Sequence, residues 1–143
     1  MKPAEVTSDH SVYLLLLVIL DQLKHQMTTL AENHGLSLMQ AKTLHLLDPE
    51  IEAPMSSLSL ALHCDASNVT GIADRLEQHG LVVRKQSRTD RRVMTLSLTP
   101  EGHKLRQTIL HELTELETQD LSSKLMAGEA ATLTHLLNKL IVR

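Results

Sequence analysis

The chain has 143 residues, enough for one domain with its own core, or for such a domain with added association helices. It contains no Phe or Trp and one Tyr, Tyr13, so the core must be aliphatic; strand-rich folds, which draw on aromatic and β-branched residues, are disfavoured. The net charge of −3 does not itself suggest a nucleic-acid partner, but residues 81–99 hold five cations against Asp90 alone, a net +4, leaving −7 for the rest.

A single cysteine, Cys64, rules out an intrachain disulfide and fits a reducing compartment. The apolar run 12–20 is shorter than the roughly 20 residues that span a bilayer. It also makes a poor signal peptide, with Lys2 the sole base before it and Asp21-Gln22 where small residues would mark cleavage. No membrane association and a cytoplasmic location are expected.

From residue 9 to residue 33, Val12, Leu16, Ile19, Leu20, Leu23, Met27 and Leu30 recur at helical spacings. Leu14, Leu15, Leu17 and Val18 fill the other sides of the first half. Such a helix must be surrounded, and a small domain rarely surrounds its terminal helix, so a second chain is the expected cover. Gly35 ends it. Ser37, with Gln40 three residues on, opens a second helix through a capping box. Its stripe is Leu38, Ala41, Leu44 and Leu47, and Asp48-Pro49 stops it. Residues 50–54 read as a loop.

Ser56 reads as the N-cap of a short third helix carrying Leu58, Ala61 and Leu62. Asp65 caps a fourth, running to about residue 79 and stopped by Gly80, with Val69, Ile72, Ala73 and Leu76 as its apolar face. The turn His63-Cys64-Asp65 makes the pair a helix-turn-helix. Residues 81–85 and 93–98 read as strands, the second alternating Val93/Thr95/Ser97 with Met94/Leu96/Leu98, joined by the loop 86–92. Thr99-Pro100-Glu101 opens a fifth helix with a capping hydroxyl, a first-turn proline and a carboxylate at the positive end of the dipole. It carries Leu105, Ile109, Leu113 and Leu116 and extends as far as Leu125; a last helix, 127–141, carries Ala130, Leu133, Leu136, Leu137 and Leu140. The expected fold is mainly α with a small β-hairpin wing.

The fourth helix presents Ser67, Asn68, Thr70, Gly71, Asp74 and Arg75 on its polar face. A helix lying in the major groove reaches base edges from its N-terminal residues, and Asn, Ser and Thr are suited to that role. Gly71 costs about 1 kcal/mol against Ala inside a helix. Close approach of another backbone is one physical reason for it; a solvated polar face with a tolerated glycine is the alternative. The hairpin adds Arg84, Arg88, Arg91 and Arg92, with Ser87 and Thr89 as hydroxyl donors to phosphates. A cationic tip beside such a helix can reach the adjacent minor groove. Asp90 is out of place for phosphate binding unless it pairs with an arginine and fixes its direction.

Over the stretch Cys64-Asp-Ala-Ser-Asn-Val-Thr-Gly-Ile-Ala-Asp-Arg-Leu-Glu, Gly80-Leu-Val-Val-Arg84, Asp90-Arg-Arg92 and Leu96-Ser-Leu-Thr-Pro-Glu-Gly102, the chain resembles the MarR family of dimeric winged helix-turn-helix repressors. The order of elements agrees over essentially the whole chain. The resemblance implies a winged helix-turn-helix lobe, 36–99, between dimerisation helices 9–34 and 100–143. It implies that Ser67, Asn68, Thr70 and Arg75 face DNA and that Asp90 orients Arg92 in the minor groove; Gly71, Arg84, Ser87, Arg88 and Arg91 complete the expected DNA-binding set. It further implies a homodimeric regulator, a repressor, on a pseudo-palindromic operator with half-sites about 10 base pairs apart. Release by a phenolic or aromatic carboxylate effector is expected, with Tyr13, His45 and Arg106 as candidate pocket residues. A winged helix used only for protein contact is the alternative, but it has no need of a +4 hairpin.

Neither catalysis nor a cofactor is expected, because no nucleophile with a base, glycine-rich phosphate loop or carboxylate dyad occurs. Nine scattered histidines include no i,i+4 pair, so no metal site is expected. Cys64 reads as a small packing residue of the turn rather than a redox switch.

Overall fold

The computed structural model describes residues 11–141. Nine elements follow in order: α1 (Val12–Asn33), α2 (Leu38–Leu46), β1 (Ala53–Pro54), α3 (Met55–Leu62), α4 (Ala66–Gln78), β2 (Val82–Gln86), β3 (Met94–Leu98), α5 (Pro100–Lys124) and α6 (Glu129–Leu140). They form two compact units, one ending at Arg106 and one beginning at Gln107. The first two residues of the expected opening helix, 9 and 10, lie outside the described residues.

Local chemistry sets most boundaries. Ser37 accepts from the Gln40 amide at 3.2 Å while Gln40 Oε1 accepts from the Ser37 amide at 2.9 Å, closing the capping box of α2. Asp65 accepts from the Asn68 amide at 2.8 Å and caps α4. At the far end of α4, Gly80 takes φ +70°, which lets its amide reach Glu77 O and the Leu81 amide reach Leu76 O, both at 2.9 Å. That pair of bonds ends the helix and turns the chain directly into β2.

The wing sheet has three strands rather than the expected two. The order is β1-β3-β2, all antiparallel, with Ala53 opposite Leu96 and Val82 opposite Leu98. Residues 53 and 54, read as loop, pair along the open edge of β3. A two-residue strand is too short to alternate, and Pro54, lacking an amide proton, is tolerated there because β1 is an edge. The same segment displaces the start of α3: its N-cap is Pro54, not Ser56, and no side chain caps it. Strand β2 begins one residue later than expected and takes in Gln86.

The first unit buries an aliphatic core of Leu44, Leu47, Leu58, Leu62, Val69, Ala73, Leu76, Leu81, Val82 and Leu96, joined by Ala31 and Leu36. Each fully buried leucine contributes about 1.5–3 kcal/mol. An exposed pair of the same unit such as Arg92–Asp90, at 3.1 Å, gives at most about 1 kcal/mol, so aliphatic burial holds this unit together. Ala61, expected in the α3 stripe, is exposed instead, and Cys64 is half-buried rather than enclosed.

Thr99 fastens the start of α5. Its hydroxyl donates to Gly80 O at 2.6 Å and accepts from the Gly102 amide at 3.0 Å, while its own amide donates to Leu81 O at 3.0 Å. Gly102 lies so close to the Leu81 backbone that a Cβ there would sit 1.9 Å from the Leu81 carbonyl oxygen.

Two helices leave their apolar residues uncovered. On α1, Val12, Leu14, Leu17, Ile19, Leu20 and Leu23 are all exposed, as is Tyr13 at 77%. On α6, Leu133, Leu136, Leu137 and Leu140 are exposed. No helix among the described residues is long and apolar enough to cross a membrane.

Candidate nucleic-acid interface

Helix α4 sorts its residues by face as its sequence demands. Val69, Ala73 and Leu76 are buried; Ser67, Asn68, Thr70, Gly71 and Arg75 are exposed on the opposite side. Two of the outward hydroxyls already have intramolecular acceptors. Ser67 Oγ donates to Asp65 Oδ1 at 2.8 Å, and Thr70 Oγ1 donates to Ala66 O at 2.9 Å. Each then offers lone pairs outward, which suits a base amino group better than a phosphate oxygen. Gly71 has ordinary helical backbone and, beyond the backbone of its own helical turns, no heavy atom within 4 Å of the place a Cβ would occupy. Nothing in its own chain requires glycine there.

The wing tip is a closed turn. The Ser87 amide donates to Val93 O at 2.8 Å and the Val93 amide to Asp90 O at 3.0 Å. Ser87 Oγ accepts from the Thr89 amide at 3.3 Å and lies 3.0 Å from Thr89 Oγ1, so both hydroxyls are engaged in holding the tip. Asp90 grips Arg92 by three bonds: the Arg92 amide and Nε to Oδ1 at 3.0 and 3.1 Å, and Nη2 to Oδ2 at 3.2 Å. The Arg92 guanidinium holds the Asp90 carboxyl below its ordinary range. Arg92 remains 91% exposed, so it is aimed without being covered. Arg88 and Arg91 are exposed beside it.

Arg84 has a different place from the one expected. It is half-buried on β2, with Nε and Nη2 on Glu77 Oε2 at 3.1 and 2.8 Å and Nη2 also on Asp74 Oδ1. Its amide donates to Glu77 Oε1 at 3.3 Å. Two carboxylates from α4 therefore tie α4 to the root of the wing and pair with this arginine. The sequence offered a signal for this: Asp74 and Glu77 sit one turn apart on α4, with Arg84 at the start of the next element.

The Glu77 carboxyl is held below its ordinary range, chiefly by its hydrogen bond from the Arg84 side chain. Asp65 is likewise lowered, mainly by the Asn68 amide. A carboxylate lowered in the folded state adds stability that is complete above its ordinary value, 3.8 for Asp and 4.5 for Glu, and is lost as pH falls below that range. The urea midpoint is expected to drop between pH ~6 and pH ~3, and the Glu77→Gln variant to show a smaller drop over the same interval. An equal drop in both proteins would contradict this role for Glu77.

Of the three candidate effector residues, Arg106 and His45 meet. Arg106 Nε and Nη2 donate to the His45 backbone carbonyl, each at 3.4 Å, so the two meet without the imidazole. Tyr13 stands exposed on α1. A groove of about 360 Å³ opens between α3, α4 and the sheet, lined by residues including Met55, Ser59, Val69, Thr70, Arg84 and Met94. Sequence reasoning missed it because its lining comes from four separate elements.

A helix-turn-helix whose second helix presents a polar face, followed by a three-stranded sheet with a cationic hairpin tip, defines a winged helix-turn-helix protein. The MarR family profile matches residues 36–94. The chain is 36% identical over 89 residues to a protein of Thauera aromatica named for transcriptional regulation of the hcr operon, covering 59% of this chain and 51% of that protein. It is 33% identical over 91 residues to the HTH-type transcriptional repressor MdtR of Bacillus subtilis, covering 64% and 59%. The chain thus matches about half the length of the first of these relatives. Wild-type MarR from Escherichia coli has the same fold, with a TM-score of 0.85 at 22% identity over 95% of this chain and 100% of that one. The winged-helix segment 36–94 thus matches the MarR family model, and the chain shares the fold of MarR.

Proposed function

We propose that this chain is a homodimeric, DNA-binding transcriptional regulator of the cytoplasm, acting as a repressor at a pseudo-palindromic operator. The observation that carries the reading is the pairing of two exposed features in one unit. Ser67, Asn68, Thr70, Gly71 and Arg75 on α4 face outward, and the wing holds Arg92 in a fixed direction beside Arg88 and Arg91. In this reading α4 enters the major groove, Arg92 enters the neighbouring minor groove, and Ser87, Asp90 and Thr89 keep the tip in shape. The uncovered apolar residues of α1 and of α6 support a dimer, each helix needing a cover that a second copy supplies. The names of the relatives support regulation of transcription, and one of them supports repression.

Besides the Tyr13, His45 and Arg106 set, the groove between α3, α4 and the sheet is a second place for a small effector. Arg84 at that groove is already paired with Asp74 and Glu77, so a neutral phenol suits it better than a carboxylate, which would have to displace them. The experiment is selection of duplexes from the source genome by the full chain, followed by affinity measurements across salt. Several phosphates neutralised per half-site lead to a loss of roughly 10³-fold between about 50 and 200 mM salt. A flat response, or no duplex selected, would favour a winged helix that serves protein contacts.

A further inference from the structure

We infer that Gly71 is a positioning residue for the DNA target, the point at which the α4 backbone itself comes against the duplex. The inference rests on the DNA-binding reading given above. Gly71 lies in the middle of α4, where glycine is the least favourable residue after proline because it gives up the most chain freedom and packs nothing. The usual intramolecular reasons for tolerating it are absent. Its φ is not positive, unlike those of Gly35, Gly80 and Gly128. A Cβ built on it meets no heavy atom within 4 Å beyond the backbone of its own helical turns, in contrast to Gly102, whose Cβ would collide with Leu81. It is solvent-exposed and sits on the same side of the helix as Ser67 and Arg75, one turn before and one turn after.

A residue that weakens its own helix and answers to nothing inside the chain is explained by something outside it. The space left by the missing side chain admits a surface that would otherwise be held off by a methyl group's thickness. With the Ser67 hydroxyl turned back to Asp65, the helix is low-profile over this turn, and Arg75 marks its far end as the cation that reaches beyond it. In a major groove, the part of the duplex that meets such a surface is a base edge or a thymine methyl. A side chain at position 71 would lift α4 and lengthen every contact made from Ser67, Asn68 and Thr70 together.

The test is Gly71→Ala in the full chain, compared with wild type at equal protein concentration on a duplex that the wild type selects. The melting temperature is expected to rise by about 3 °C, as restored helix propensity requires in a chain of this size. Affinity for the selected duplex is expected to fall at least tenfold. A merely structural glycine cannot give that combination, since a more stable protein would bind as well or better. Unchanged or tighter duplex binding by Gly71→Ala overturns the inference while leaving the DNA-binding reading intact. So does a lowered melting temperature, which would reveal an internal need for glycine. A wild-type chain that selects no duplex overturns the DNA reading and this inference with it.

Discussion

Gly102→Ala is expected to cost the protein about 3 kcal/mol and to lower its melting temperature by about 10 °C. The added methyl would lie 1.9 Å from the Leu81 carbonyl oxygen and 2.8 Å from its carbon, and these are backbone atoms that cannot swing aside. Relief requires the start of α5 to lift from the α4–β2 turn. Lifting it stretches the bonds that Thr99 makes to Gly80 and Leu81, at 2.6 and 3.0 Å, and uncovers Leu81, which is 7% exposed. Thermal unfolding followed by circular dichroism measures the loss. A melting temperature equal to that of wild type would mean that the contact relaxes freely. The contrast with Gly71→Ala is sharp: the same substitution in two helices moves stability in opposite directions, because one site is closed by backbone and the other is open.

Arg92→Ala is expected to reduce affinity for the selected duplex by about 1–3 kcal/mol, the range of one good base contact, with the dimer unaffected. Asp90→Ala provides the more discriminating companion. It raises the net positive charge of the wing, so an Asp90 that merely repels phosphates predicts tighter binding. An Asp90 that holds Arg92 by the three bonds described predicts weaker specific binding, because the arginine must then be ordered at the moment of contact. Titration of both variants against the selected duplex and a scrambled one separates the two accounts by the sign of the change. Tighter specific binding by Asp90→Ala would remove the aiming role.

Most of the fold was legible because it rests on short-range chemistry. Ser37 and Gln40, Asp65, Gly80 and Thr99-Pro100-Glu101 each mark a helix end through groups within a few residues, and each does so in the structure. The apolar face of α4 followed from period alone. What escaped depends on residues distant in sequence. Pairing of Ala53 with Leu96 spans more than forty positions and involves two residues, too few for a pattern. That pairing in turn fixes Pro54 at the start of α3, which is why Ser56 looked like a cap and is not one. Arg84 counted as a free cation by composition, and only the crossing of α4 and β2 shows that Asp74 and Glu77 consume it. Within the candidate site, the direction of Arg92 was legible from Asp90 two residues away, whereas the groove beside α3 was not, since no local signal links Met55 to Met94.

The scarcity of aromatic residues has an optical consequence. With neither Trp nor Phe, the near-ultraviolet absorption and emission of this protein come from Tyr13 alone, and that ring stands 77% exposed among the uncovered apolar residues of α1. The buried leucines around Leu44, Leu76 and Leu96 contain no chromophore, so their own exposure on melting adds no near-ultraviolet signal. Tyrosine emission in this molecule is instead a gauge of whatever comes to cover the first turns of α1.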